Sequence, residues 1–71
     1  MVLDIRTDKH ARYYKLYDST TNKEIPFAFW ADDRAGTYRV YNNDGIHIVM
    51  DKDGAIPEIE HQGNIRLIRI E

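Results

Sequence analysis

Short apolar runs separated by Gly, Asp and Asn set the rhythm of this chain, and within most of them apolar and polar positions alternate. Leu3 and Ile5 alternate with Asp4 and Arg6, which predicts a strand with one face in water. Residues 7–11 read as a polar turn. Residues 12–17 form the next strand, with Tyr14 and Leu16 on one face and Tyr13, Lys15 and Tyr17 on the other. A polar connection, residues 18–23, leads into the most strongly marked stretch of the sequence.

That stretch runs from Ile25 to Tyr41 and holds both phenylalanines, the single tryptophan and two tyrosines. Residues 25–31 are apolar and extended, residues 32–36 (Asp-Asp-Arg-Ala-Gly) have turn chemistry, and residues 37–41 alternate in β-branched and aromatic types. An Asp side chain can bond the backbone two residues on, and Gly36 can take positive φ without a Cβ clash. A β-hairpin is predicted here, as the nucleus of the domain.

Beyond Tyr41, Asn42-Asn43-Asp44-Gly45 predicts a second hairpin turn, and residues 46–50 a strand with Ile46, Ile48 and Met50 on one face. Asp51-Lys52-Asp53-Gly54 is a further turn. Pro57 demotes residues 55–60 to an edge strand or loop. Residues 61–64 turn once more and residues 65–70 close the chain, with a slip in alternation that calls for a bulge near Leu67 or cover on both faces. No apolar stripe of helical period is present. The prediction is an all-β fold: a small antiparallel barrel or two-layer sandwich of roughly six or seven short strands, meander-like. The expected core is Leu3, Ile5, Tyr14, Leu16, Phe27, Phe29, Tyr38, Val40, Ile46, Ile48, Met50, Leu67 and Ile70.

Length and composition narrow the picture further. Residues 1–71 make a single domain near the lower size limit for a self-sufficient core. A hydrophobic content of 42% separates it from disordered chains despite its 31% of charged residues. Cysteine is absent, so no disulfide or thiolate chemistry is available. Asp4 and Arg6 break any leader-like apolar run, and no stretch reaches membrane-spanning length. A cytoplasmic location without membrane contact is therefore expected. The net charge of −2 is made of interspersed signs, which argues against a strongly basic nucleic-acid clamp.

Candidate chemistry is sparse. Ser19 lies alone in a polar loop, His10, His47 and His61 lack the paired spacing of a zinc site, and Asp32-Asp33 sits in a turn. The segment starting at Asp51 opens like a calcium loop but has Ala55 and Gln62 where ligands belong. No enzyme activity, cofactor or metal is expected. The parity of the strands instead sets Tyr13, Lys15, Tyr17, Trp30, Arg39 and Tyr41 on one side. Neighbouring strands lie about 4.8 Å apart, so these residues form a candidate aromatic and basic binding patch. Aromatic rings with Lys and Arg suit a protein partner or self-association; the alternative is single-stranded nucleic acid, with bases stacked on the rings.

Within residues 18–41 a turn precedes Glu24-Ile25-Pro26-Phe27, then come an alternating strand, Ala31-Asp32, the Gly36 turn and the aromatic strand Thr37-Tyr38-Arg39-Val40-Tyr41. This run is similar to one found in small proteins of unknown function encoded by tailed phages. The resemblance implies an accessory protein of a phage or prophage, working in the bacterial host cytoplasm on a host or viral protein. A host-defence factor is one such partner, and a homo-oligomer the other option.

Overall fold

The computed structural model describes residues 1–70 and folds them into two antiparallel sheets packed as a sandwich. The strands are β1 (Val2–Asp4), β2 (Tyr14–Asp18), β3 (Lys23–Glu24), β4 (Ala28–Asp32), β5 (Thr37–Tyr41), β6 (Glu58–Gln62) and β7 (Ile65–Arg69). One sheet has the order β1-β4-β5-β6 and the other β3-β2-β7. The sandwich, not the closed barrel, is the architecture adopted. A single 3-10 turn, Ala11–Tyr13, precedes β2.

The predicted hairpin forms as β4 and β5. Its turn is held by Asp32, whose Oδ1 accepts the amides of Arg34 and Ala35 at 3.0 and 3.2 Å. Gly36 closes the turn at φ +71°, and its amide donates to the Asp32 carbonyl. A Cβ at Gly36 would lie 2.8 Å from the Gly63 carbonyl oxygen, so this glycine also makes room for the corner between β6 and β7. At that corner the chain leaves one sheet for the other within two residues.

The inter-sheet core is small. Leu16 from β2, Ala31 from β4 and Ile65 from β7 form its centre, with Ile25, Ala28, Tyr38 and Leu67 packed around them. Beside it lies a half-open cavity of about 150 Å³, bordered by Leu3, Leu16, Ile25, Phe27 and Leu67 among others. Phe27 sits at φ +63°, a rare conformation for a bulky residue, where the chain passes from β3 to β4.

Several expected core positions lie elsewhere. Ile46, Ile48 and Met50 are exposed, because residues 46–50 do not join the sheet. The place beside β5 is taken by β6, in register from Thr37↔Gln62 to Tyr41↔Glu58. The edge strand expected within residues 55–60 forms, but it starts at Glu58 and runs on through His61 and Gln62, in place of the turn expected there. Residues 42–57 instead form a projecting arm with one isolated bridge, Asn43↔Ile48. Ile5 and Ile70 fall just outside β1 and β7 and are also exposed. Tyr14, Phe27, Tyr38 and Leu67 are only half-buried.

Of the two explanations for the slip in alternation at residues 65–70, the bulge is not there, since β2 and β7 pair without a shift from Tyr14↔Arg69 to Asp18↔Ile65. Leu67 and Ile68, on opposite faces, are both half-buried. A bulge falls instead in β4, where Ala28 opposes Val40 but Trp30 opposes Arg39. Phe29 is thus left without a partner across β5.

Candidate functional site

Across the four-stranded sheet, Asp4, Trp30, Arg39 and Glu60 stand in one cross-strand row, opposite in sense to the row Leu3, Ala31, Tyr38 and His61. The first row faces outward, and Tyr41 shares its side by parity. The bulge turns the Phe29 ring toward this side too, where it stacks on Tyr41 with centroids 4.3 Å apart. Arg6 covers it with its guanidinium 4.4 Å from the Phe29 centroid, leaving Phe29 only 1% exposed.

Charges knit this face together. Arg6 bridges Asp4 at 3.3 Å and Glu58 at 3.2 Å, Arg39 bridges Glu60 at 3.3 Å, and the Arg39 guanidinium lies 4.5 Å from the Trp30 ring centre. Hydrogen bonds from the Arg6 side chain and backbone hold the Asp4 carboxyl below its ordinary pKa. Arg6 and Arg39, the two arginines on this face among the described residues, are each paired with a carboxylate.

The candidate patch is divided by the fold. Trp30, Arg39 and Tyr41 lie together on the outer face of the four-stranded sheet. Tyr13, Lys15 and Tyr17 belong to the 3-10 turn and to β2, in the other sheet. Lys15 and Tyr17 face away from Leu16, which is turned into the inter-sheet core, so they look out on the opposite side of the sandwich. Lys15 is engaged by Glu24 at 3.4 Å, and Tyr13 is flanked by the guanidinium groups of Arg12 and Arg69. The parity argument held within β2 and β5 but not in β4, where the bulge sets Phe29 on the same side as Trp30. The assumption that β2 neighbours the central hairpin did not hold either.

The more open surface is the arm. Ile46 is 75% and Met50 62% exposed, and Ile48, Val49 and Ile56 are exposed with them. Polar side chains nevertheless fix the backbone that carries these residues. Asp44 Oδ1 accepts the amides of Ile46 and His47 at 2.8 and 2.7 Å, and Asp51 Oδ1 accepts those of Asp53 and Ala55, both at 2.9 Å. The backbone amide of His47, with that of Ile46, lowers the pKa of Asp44. At the root, Asn42 donates to the Pro57 carbonyl and Val49 donates to the carbonyl of Asn42. The Asp51 carboxylate, first residue of the calcium-like segment, is thus spent on its own turn. Among the described residues no three His, Asp or Glu side chains converge as a metal ion would require, and no helix is long and apolar enough to cross a membrane.

Sequence alternation marked residues 46–50 but assigned them to the core. The missed signal was the crowding of Asp, Asn and Gly around them, which supplies side-chain caps to a loop as readily as turns to a meander. No protein-family model, curated protein or solved structure matches the chain.

Proposed function

We propose that this chain is a non-enzymatic protein-interaction module whose principal contact surface is the apolar arm between β5 and β6. The observation that carries this reading is the imbalance of apolar residues. Among the described residues, seven apolar side chains are buried, two of them alanine, while ten large ones are exposed. Five of those ten lie in the arm, held by backbone capping and not by packing. Large contiguous exposed apolar surface marks interaction sites in soluble proteins. The outer sheet face is the secondary surface, since its rings and arginines already satisfy one another.

The resemblance of residues 18–41 to phage-encoded proteins favours a host or viral protein in the bacterial cytoplasm, or a second copy, as the partner class. Single-stranded nucleic acid is the weaker reading. A phosphate would have to displace Glu24 from Lys15, Glu60 from Arg39, or Asp4 and Glu58 from Arg6.

The test is the Ile46→Ser/Met50→Ser double variant. It should keep the circular dichroism spectrum and melting temperature of the wild type, because neither side chain packs. It should lose any partner that the immobilised wild type retains from bacterial lysate. Equal retention by both proteins would refute the arm as the contact surface. Labelled oligonucleotides should bind neither protein; affinity that falls steeply with salt would favour the nucleic-acid reading.

A further inference from the structure

We infer that β6 pairs with β6 of a second copy, joining two four-stranded sheets into one across a twofold axis at Glu60. The inference rests on the interaction-module reading and adds a partner and a second surface, separate from the arm.

An open sheet edge is a template for another strand unless something guards it, and guards include shortness, charged side chains (lysine above all) and proline. The sandwich has edges at β1, β6, β3 and β7. β1 has three residues, β3 has two and carries Lys23, and β7 carries Arg66 and Arg69. β6 has five residues, all exposed, with no Lys, Arg or Pro among them. Its two carboxylates are drawn onto the sheet face by Arg6 and Arg39, which removes much of their repulsion from the edge.

The ladder also fixes which groups are open. The Pro57 carbonyl accepts from Asn42, and the Gly63 amide donates to the Gly36 carbonyl, so odd-numbered residues here bond toward β5. By the alternation of an antiparallel ladder, the N–H and C=O groups of Glu58, Glu60 and Gln62 point away from the protein. Three outward residues spaced in this way are self-complementary. Antiparallel pairing centred on Glu60 sets Glu58 opposite Gln62 of the other copy and Glu60 opposite its own equivalent. Every open donor and acceptor is then used, in about six backbone hydrogen bonds. Moving the axis to Ile59 leaves Gln62, and moving it to His61 leaves Glu58, without a β6 partner in both copies. Ile59, exposed on the inner side, comes beside His61 of the second copy and is covered by it. Such a contact is isologous and closes as a dimer, without propagating.

Sedimentation equilibrium of the full chain, with amide exchange read by NMR, tests the pairing. The wild type should dimerise, with the Glu58, Glu60 and Gln62 amides protected increasingly as concentration rises. Glu60→Pro removes an outward N–H at an edge position where proline is tolerated, so the monomer fold should persist. Its dimer dissociation constant should rise more than about tenfold, whereas Glu60→Gln, which keeps the N–H, should shift it by less than about threefold. A chain that stays monomeric at millimolar concentration, with these three amides exchanging freely, overturns the inference and leaves the arm reading intact. So does a dimer abolished by Ile46→Ser/Met50→Ser but not by Glu60→Pro. Should Glu60→Pro fail to fold, the wild-type exchange pattern alone decides.

Discussion

Gly36 and Asp4 show how single residues hold distant parts of this small sandwich in place. Gly36 combines a left-handed φ with a tight approach to the Gly63 carbonyl, so one side-chain atom there would strain both the hairpin turn and the corner into β7. Gly36→Ala should therefore cost more than about 1 kcal/mol, seen as a lower midpoint in urea denaturation. Asp4 holds Arg6 over Phe29, and its carboxyl pKa is depressed in the fold, chiefly by the side-chain hydrogen bond from Arg6. A depressed carboxyl stabilises the folded state above its unfolded pKa and ceases to do so as pH falls through the folded value. Stability should accordingly hold above about pH 4 and decline below it, with Asp4→Asn flattening that decline in acid melts. The glycine was readable from the sequence, since Asp-Asp-Arg-Ala-Gly is turn chemistry. The ion pair was not, because Asp4 and Arg6 read as two solvent-facing residues of one strand.

At the scale of elements, the bulge in β4 decides what the aromatic hairpin does. Period-two alternation predicts Phe27 and Phe29 inside with Trp30 outside. Trp30 does stand on the outer face, half-buried under Arg39. Phe29 is the most buried residue of the chain, yet its burial comes from Tyr41 and Arg6 on that outer side. Phe29→Ala should cost about 3–5 kcal/mol. That is nearly the whole stability expected of a domain this size, so the variant should be largely unfolded by circular dichroism. Trp30→Ala should remain folded with a modest drop in melting temperature. An unfolded Trp30→Ala would mean that the indole is core. A bulge leaves no mark in an alternating sequence, since it depends on the register against β5 and so on where both strands sit in the sheet.

The molecule as a whole has two sheets but too little between them. Its centre is Leu16, Ala31 and Ile65 beside a half-open cavity, while longer aliphatic side chains stand on the arm and along the rim. A chain of this size cannot bury all its apolar surface. Here the surplus is collected largely in residues 46–59, next to the one unguarded edge. That placement is what the two proposed contacts would use, the arm offering apolar side chains and the edge strand offering backbone.

Most turns and, away from the β4 bulge, parity are local, and the sequence by itself settled them. The β4–β5 hairpin, the Gly36 and Gly45 positions, the all-β class and the alternating faces within β2 and β5 follow from backbone sterics and side-chain period over a few residues. Which strand neighbours which was decided only in three dimensions. β5 can accept one more strand, and both residues 46–50 and residues 58–62 offer extended backbone to it. The two-residue corner at Gly63-Asn64 ties residues 58–62 to β7, and β7 is anchored through Ile65 in the inter-sheet core, so β6 wins the place. The more apolar segment is displaced into solvent as the arm, and the candidate patch is split between opposite faces.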